Sequence, residues 1–241
     1  SLDAELHRAV ERDEFAVYFQ PQVELAGGRI IGAECLVRWQ HPRRGLLAPQ
    51  SFIPLAERTG LIVPLGFCVL RTACRQIAIW QQLVPDPFRV AVNLSLRQVR
   101  EPGLVAGLEA LLRETEIRPE WLDLEITESV AMNAAPSRLR VLRQLKALGV
   151  RMSLDDFGKG YSSLRHLRRL PIETVKIDRS FVRRIRRDPR DATIARAVIQ
   201  LGHALGLRVV AEGVTSPEEA AYLRDQGCDL AQGYLYGRPM P

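Results

Sequence analysis

The sequence has no uninterrupted apolar run near the roughly 20 residues that a transmembrane helix needs. It also does not open with the charged, apolar and small-residue pattern of a secretory signal. The 241 residues contain no long low-complexity tract, and 46% apolar and 26% charged residues are typical of a soluble globular protein. We therefore expect a cytoplasmic domain with no membrane segment of its own, any membrane anchor lying elsewhere in a parent protein.

Cysteine and histidine are scarce and carry no metal-ligand spacing. The cysteines form no C-x-x-C pair and stand in apolar contexts, which predicts reduced, mostly buried thiols instead of a disulfide framework or zinc site; they are Cys35, Cys68, Cys74 and Cys228. The histidines are scattered, at His7, His41, His166 and His203. Any metal in this protein must therefore be held by oxygen ligands.

The basic segments contain few aromatic residues. The net charge of +6 comes largely from arginines in residues 165–170 and 179–191. A surface for single-stranded nucleic acid would interleave aromatic rings with these arginines, because bases stack on such rings. We therefore expect no nucleic-acid partner and interpret these segments as solvated helix faces whose field attracts a small anionic substrate.

Short β-branched runs alternate with segments of helical periodicity along the chain. The predicted strands are residues 15–25, 29–39, 88–95, 121–129, 150–157, 173–178, 207–214 and 228–234. The predicted helices are residues 64–82, 103–115, 137–148, 192–205 and 217–226. Only three residues, 26–28, separate the first two strands, so these form an antiparallel hairpin and the remainder form parallel β-α units.

This alternation fits a closed (β/α)8 barrel or an open doubly wound sheet. No G-x-G-x-x-G follows a predicted strand, which removes the main motif of a dinucleotide-binding sheet. The length is close to the roughly 250 residues typical of a TIM-like barrel. We therefore predict an α/β fold, a (β/α)8 TIM-like barrel with one antiparallel strand near the N-terminus, and no second domain.

Polar side chains end most of the predicted strands, where barrel active sites are built. They are Glu34, Arg38, Asn93, Glu125, Glu128, Asp155, Asp156, Lys176, Asp178, Glu212 and Gln232. Each has an ordinary structural explanation by itself: a turn cap for Asp156, a snorkelling chain for Lys176 and an Asx-turn for Asn93. To explain the whole set in this way, an unrelated structural role would have to place a polar residue at the end of most strands by coincidence.

The candidate metal ligands would place about five negative charges at one barrel mouth, which requires cations. They are Glu34, Asn93, Glu125, Asp155, Asp156 and Glu212. Oxygen-only ligands suit Mg²⁺ or Mn²⁺. Successive strand residues point to opposite faces, so Asp155 and Asp156 serve one site only if the chain bends there, and we expect Gly158 and Gly160 to supply the bend.

Eight ordered segments of the chain resemble the EAL domain family of cyclic di-GMP phosphodiesterases. They are "YFQPQVEL", "GAECLVRWQHPRRGLLAPQSFIPLAERTGLI", "VAVNLS", "LEITES", "SLDDFGKGYSSL", "VKIDRSFV", "VVAEGV" and "AQGYLYGRPMP". The resemblance implies a (β/α)8 barrel that hydrolyses cyclic di-GMP to linear pGpG with two Mg²⁺ or Mn²⁺ ions. It also implies a homodimer, and a single domain of residues 1–241 excised from the C-terminal part of a signalling protein with an upstream sensory or GGDEF domain.

The resemblance also implies a role for each site residue. One metal would be held by Glu34, Asn93, Glu125 and Asp155, and the other by Asp155, Asp156 and Glu212. The catalytic residues would be Glu34, Lys176, which positions the attacking water, and Glu212, a candidate for proton transfer. The substrate-binding residues would be Arg38, on a phosphate, and Gln20 and Gln232, which line the pocket. Glu128 resembles the acid that holds the Asp-Asp-Phe-Gly loop in place.

Three positions depart from the family pattern. Cys35 replaces the alanine of the Glu-Ala-Leu signature, and strand alternation points it away from Glu34, so the change should be tolerated. Lys159 stands in the loop that couples dimerisation to activity where a small residue is usual, which affects regulation. Thr215 replaces a second glutamate near Glu212, so weaker support for the second metal and a reduced rate are expected.

The residues leave two alternatives to an active phosphodiesterase. One is a catalytically weak or inactive cyclic di-GMP receptor or protein-interaction module, but such proteins usually lack several metal ligands and this chain lacks none. The other is a barrel enzyme that uses metal for proton abstraction beside a carbonyl, which fits the carboxylates but gives no reason for Arg38.

Overall fold

The computed structural model describes residues 2–132, 136–158 and 164–241. In this part of the chain the strands are β1 Phe15–Glu24, β2 Ile30–His41, β3 Gly45–Leu47, β4 Arg89–Leu94, β5 Leu122–Thr127, β6 Arg151–Phe157, β7 Thr174–Ile177, β8 Arg208–Ala211 and β9 Leu230–Gln232. Their hydrogen-bonded order is β1-β9-β8-β7-β6-β5-β4-β2-β3, and β1 also pairs with β2. Eight strands therefore close into a barrel, with β3 as an extra strand on the outer part of β2.

One strand of the barrel runs against the others. β1 is antiparallel to both of its neighbours, β2 and β9, while the other neighbouring pairs of the barrel, from β2–β4 to β8–β9, are parallel. The extra strand β3 is antiparallel to β2. The β1–β2 hairpin turns at Gly28, whose φ of 69° lies in the left-handed region. The predicted barrel with one antiparallel strand near the N-terminus is confirmed.

Helices follow most of the strands and cover the barrel. The described helices are α1 Leu2–Glu11, α2 Ile53–Thr59, α3 Ile62–Leu83, α4 Leu96–Val99, α5 Leu104–Thr115, α6 Glu128–Met132, α7 Pro136–Ala147, α8 Leu164–Leu167, α9 Arg179–Val182, α10 Pro189–Ala204 and α11 Pro217–Asp225. The five predicted helices correspond to α3, α5, α7, α10 and α11, with ends shifted by at most three residues. The prediction missed α1, α2 and the short helices.

The long helix α3 packs on the barrel with its apolar face. Its 22 residues are long and apolar enough to cross a membrane by length and composition alone. Leu70, Ala73, Cys74 and Ile77 of this helix are buried in the main core. Packing against the barrel strands therefore accounts for this apolar face.

Among the residues that the structure describes, the buried apolar side chains form two hydrophobic clusters. The larger one fills the space between the outer faces of the strands and the surrounding helices. The smaller one contains Leu6 of α1 together with Trp39 and Phe52, and all three are fully buried. The Trp39 indole N–H also donates to Glu14 Oε2 at 3.1 Å. This second cluster fixes α1 against β2, the strand that carries Glu34 and Arg38.

The four cysteines are free thiols, and Cys35, Cys74 and Cys228 are buried while Cys68 is half-buried. Burial raises the pKa of the Cys74 and Cys228 thiols to about 12. The predicted burial of most of the thiols is confirmed.

Candidate active site

The carboxyl ends of the parallel strands bring the predicted polar residues to one mouth of the barrel. Because neighbouring parallel strands end on the same rim, strand register decides which side chains meet. Glu34 lies opposite Gln20 across the β1–β2 pair, and Asn93 lies opposite Glu125 across the β4–β5 pair. Glu212 follows the last residue of β8.

Lys176 lies at the centre of the acids and is completely buried. Its Nζ donates to Glu125 Oε2 at 2.8 Å and lies 2.7 Å from Glu212 Oε1. Glu34 Oε2 and Asp155 Oδ1 follow at 3.5 and 3.7 Å. Burial alone would lower the pKa of Lys176, but these carboxylates outweigh burial and raise the pKa well above its ordinary value. The ammonium therefore stays charged and partly neutralises the mouth.

Glu34 is held by side-chain amides. Asn93 Nδ2 donates to its Oε1 at 2.9 Å, and Gln232 Nε2 donates to its Oε2 at 2.6 Å. Burial opposes ionisation of Glu34, but the charge of Lys176 and these hydrogen bonds outweigh burial and lower the pKa of the carboxyl. Glu34 is therefore a carboxylate with a fixed orientation.

A chain of glutamines extends this network. Gln232 Nε2 also donates to Gln20 Oε1 at 3.0 Å, and Gln20 Nε2 donates to the Gly237 carbonyl at 3.0 Å. Gln22 Nε2 donates to Gln232 Oε1 at 3.0 Å, which fixes the orientation of that amide. Gln22 was missed in the sequence analysis. The two-residue spacing from Gln20 was the available signal, because it places both side chains on one face of β1.

The bend that brings Asp155 and Asp156 together lies at Asp156 itself. This residue has a φ of 57°, in the left-handed region, and the β6–β7 register shifts between Leu154 and Phe157. The Asp156 backbone N–H donates to Asp155 Oδ1 at 2.7 Å, which stabilises the bend. The expectation that glycines supply the bend is corrected, because aspartate also enters the left-handed region. Gly158 follows with a φ of 103°, and Gly160 lies outside the described residues.

Three carboxylates at the mouth converge closely enough to bind a cation. Asp155, Asp156 and Glu212 each offer an oxygen within 4.8 Å of the others. Burial, reinforced by neighbouring acids, raises the pKa of Asp155 and raises that of Glu212 to about 8, although Lys176 opposes both shifts. The Lys176 ammonium therefore does not fully balance the negative charge of these carboxylates. An oxygen-only donor set of this kind fits a hard divalent cation.

The remaining predicted metal ligands are held by other contacts. Glu34 and Asn93 bond to each other, and Glu125 bonds to Lys176. Burial raises the pKa of Glu125 well above its ordinary value, with Glu34 and Asp155 adding repulsion and Lys176 opposing it. Their chemistry also fits a hard cation, and their assignment to a first metal stays a prediction.

A polar cavity of about 450 Å³ opens above these residues. Its lining includes Gln20, Glu34, Arg38, Asp155, Asp156, Glu212 and Gln232, all predicted site residues. The Arg38 guanidinium lies 5.5 Å from the centre of the Tyr18 ring and donates to the Val37 carbonyl at 2.9 Å. Arg38 therefore has a fixed place in the wall of the cavity, where an anionic group would meet it.

Two predicted residues at the rim occupy helix starts. Asp178 caps α9, with its Oδ1 accepting from the Ser180 N–H at 2.9 Å. Glu128 is buried in the first turn of α6, so its support of the neighbouring loop stays a prediction. Lys159, the unusual loop residue, lies outside the described residues.

The other two departures from the family pattern have clear surroundings. Cys35 lines a separate apolar cavity with Leu65 and Val69, and burial, followed by the charge of Glu34, raises the pKa of its thiol well above the ordinary value. The Thr215 hydroxyl donates to Glu219 Oε2 at 3.1 Å, within the capping box of α11. Cys35 therefore faces away from the mouth, and Thr215 is fixed by the following helix.

Comparison with known proteins gives matches over nearly the whole chain. A sequence profile described as "EAL domain" matches residues 3–239. A Pseudomonas aeruginosa protein named "Bifunctional diguanylate cyclase/cyclic di-GMP phosphodiesterase MucR" is 46% identical over 237 residues, 98% of this chain and 35% of the relative. An Escherichia coli K12 protein named "Cyclic di-GMP phosphodiesterase PdeR" is 41% identical over 240 residues, 100% of this chain and 36% of the relative.

A solved structure agrees closely with this fold. The structure described as "PaMucR Phosphodiesterase, c-di-GMP complex" has a TM-score of 0.95 and 45% identity, covering 99% of this chain and 96% of that one. This chain spans about a third of the length of MucR and PdeR.

Proposed function

This chain belongs to the EAL domain family, and on that premise we propose that it is a phosphodiesterase that hydrolyses one phosphodiester bond of cyclic di-GMP to linear pGpG. The observation that carries the proposal is the mouth of the barrel, where an ammonium and converging carboxylates lie beneath a cavity that also contains an arginine. The names of MucR and PdeR and the cyclic di-GMP complex of PaMucR support the choice of substrate.

We propose that two divalent ions, Mg²⁺ or Mn²⁺, bind at the mouth. Glu34, Asn93, Glu125 and Asp155 would hold one, and Asp155, Asp156 and Glu212 the other. Such ions, when bound, supply Lewis acidity, which lowers the pKa of water and stabilises charge on a phosphate. The close approach of Asp155, Asp156 and Glu212 supports the second set most directly.

In this proposal the protein's own residues orient the reactants and move the proton. Water attacks the phosphorus and the bond between phosphorus and the 3′ oxygen breaks, which leaves the phosphate on the 5′ side as in pGpG. The Lys176 ammonium, fixed between Glu125 and Glu212, orients the attacking water. Glu212 accepts the proton that this water loses, the departing 3′ oxygen takes a proton from a solvent water, and Glu212 later releases its proton to solvent, so that the protons balance.

Arg38 would bind the reacting phosphate. A guanidinium offers two parallel N–H groups that match two phosphate oxygens. Gln20 and Gln232 would line the pocket and keep Glu34 in place, as their hydrogen bonds support. Glu128 would support the loop after β6.

We also propose that this domain works within a longer signalling protein as a homodimer, with a sensory or cyclase region elsewhere in the chain. The length of MucR and its bifunctional name support the longer protein, whereas the homodimer rests on the family resemblance alone.

Chromatography of cyclic di-GMP incubated with the purified chain tests the proposal. Samples with Mg²⁺ or Mn²⁺ are compared with samples containing EDTA, and metal-dependent formation of pGpG is expected. Intact substrate in every sample would overturn the enzymatic proposal. Binding of cyclic di-GMP by calorimetry in that case would identify a receptor, the function that a weakened second metal site beside Thr215 would favour.

A further inference from the structure

The short helix α9 is wedged between two loops that carry candidate metal ligands. A Cβ placed on Gly158, two residues after Asp156, would lie 3.0 Å from the Phe181 ring. A Cβ on Gly213, next to Glu212, would lie 2.6 Å from the Cβ of Arg179. Helix α9 is therefore packed against the ends of both β6 and β8.

A side-chain cap at its start and buried residues in and just after it also hold α9 in place. The Asp178 side chain caps its N-terminus, and Val182 and Ile185 are buried in the main core. Side chains four residues apart share one face of a helical turn. Arg179 and Arg183 have this spacing, and both line the cavity above Asp155 and Glu212.

These two arginines are available for an external anion. In the described part of the chain, neither Arg179 nor Arg183 makes an ion pair, whereas the neighbouring Arg184 lies 2.8 Å from Asp191. Both cavity arginines are exposed at the rim. The basic segment of residues 179–191 therefore presents two of its positive charges to the cavity and the others elsewhere.

We propose that Arg183, assisted by Arg179, binds the phosphate of the cyclic dinucleotide that is not cleaved. This inference rests on the proposed function. Cyclic di-GMP carries two phosphodiester groups, and only one can be at the carboxylate cluster at a time. The second phosphate lies in a cavity with an acidic floor and needs a cation of its own, because like charges repel. Arginine suits this task through its bidentate geometry.

The kinetics of Arg183→Gln with two substrates test the inference. With cyclic di-GMP and Mn²⁺, we expect KM to rise about 10-fold, the loss typical of one charged contact, while kcat stays within about twofold. With bis(p-nitrophenyl) phosphate, which contains a single phosphodiester, kcat/KM should be unchanged. Arg183→Lys should recover part of the lost affinity, because it keeps the charge without the fork.

Arg187→Gln is the matched control. It removes the same charge from the same basic segment at an exposed position outside the cavity, and both substrates should react as in the wild type. An equal rise of KM in both variants would overturn the inference in favour of a general field effect. An equal loss on both substrates in Arg183→Gln would overturn it in favour of a structural role.

The wild-type protein separates failure of the inference from failure of the proposed function. If it hydrolyses cyclic di-GMP and Arg183→Gln does so with the same KM, the inference alone is wrong. If it binds without hydrolysis, the calorimetric Kd should rise about 10-fold in Arg183→Gln, and an unchanged Kd would again overturn the inference. If it neither binds nor hydrolyses cyclic di-GMP, both proposals fail.

Discussion

At the mouth of the barrel, the Glu34 carboxylate contacts two side-chain amides and the ammonium group of Lys176. It accepts from Asn93 and Gln232 and lies 3.5 Å from Lys176 Nζ. Its lowered pKa contrasts with the raised pKa of Glu125 and Asp155 nearby. The pKa values of similar carboxyl groups therefore shift in opposite directions, because burial and neighbouring acids dominate at Glu125 and Asp155 while the charge of Lys176 and the amide hydrogen bonds dominate at Glu34.

Replacement of Glu34 by alanine should remove activity and leave the fold intact. We expect kcat for cyclic di-GMP to fall at least about 100-fold, because a proposed metal ligand is lost. The fold should persist because Lys176 keeps Glu125, Glu212 and Asp155 as partners. Product chromatography and circular dichroism on the same sample measure both effects.

Cys35→Ala is the control for this variant, because the neighbouring side chain faces the separate apolar cavity. Its activity should match that of the wild type. Loss of the folded barrel in Glu34→Ala, with Cys35→Ala still folded, would show that Glu34 is a structural residue and would contradict its catalytic assignment.

At the scale of the elements, the loop after β8 contains both a close packing contact with α9 and the proposed catalytic residue Glu212. Gly213 has a φ of 70°, and any side chain there would collide with Arg179. Because Glu212 precedes this glycine, the position of α9 and the position of the carboxylate depend on each other.

The substitution Gly213→Ala should reduce both stability and activity. We expect a loss of about 2–4 kcal/mol in the free energy of unfolding, from backbone strain and the collision together. The rate should fall at least about 10-fold as Glu212 is displaced. Urea denaturation and the initial rate of pGpG formation are the measurements.

Gly206→Ala provides the comparison, since Gly206 has a φ of 73° and no atom within 4 Å of a Cβ placed there. It should cost about 1 kcal/mol from strain alone and leave the rate unchanged. Equal losses in the two variants would refute the coupling between α9 and Glu212.

The sequence allowed prediction of the elements that repeat and missed those defined by distant partners. The barrel strands and longer helices follow from local periodicity. Helix α1 was missed although it is amphipathic. It lies before the strand–helix alternation begins, and its buried Leu6 packs against Trp39 and Phe52, which lie far along the chain. The bend at Asp156 was likewise hidden, since only the folded register shows that an aspartate adopts the left-handed conformation.

The candidate site could be predicted more completely than its contacts. Position near the end of a strand was enough to select Lys176 and Glu212, because parallel strands end on one rim. Glu34 lies inside the longer β2, but near the end of its parallel pairing with β4. The same rule gave no sign that Lys176 would lie within 4 Å of four carboxylates, which depends on the length and direction of the side chains.

At the scale of the whole molecule, a protein of net charge +6 concentrates acids at one end of its barrel. This arrangement costs stability when the acids ionise without cations. Arg38, Arg179 and Arg183 ring the same cavity, so the mouth combines an acidic floor with a basic wall. An anionic substrate and divalent cations would together balance these charges.

Stability of the metal-free protein should fall as pH rises from about 5 to about 8. Burial raises the pKa of Glu212 to about 8, so the folded state binds a proton that the unfolded state has already released. The free energy of unfolding then decreases with pH, by at most about 1.4 kcal/mol per pH unit for this group. Thermal unfolding in EDTA across this range measures the trend.

Two comparisons isolate the origin of this pH dependence. Glu212→Gln should flatten the slope, because it removes the titrating group. Added Mn²⁺ should also reduce the fall, since a bound cation favours the ionised carboxylates. A melting temperature that rises with pH in EDTA over the same range would contradict the charge balance described for the mouth.

The most direct test of the central claim is the rate of pGpG formation from cyclic di-GMP by the wild-type chain as Mn²⁺ is titrated into a metal-free sample. We predict no product in EDTA and a rate that rises with Mn²⁺ to saturation. Asp155→Asn should give no such rise, because this residue is assigned to both metals. Product formed at the same rate in EDTA, or an unchanged titration curve in Asp155→Asn, would contradict the account.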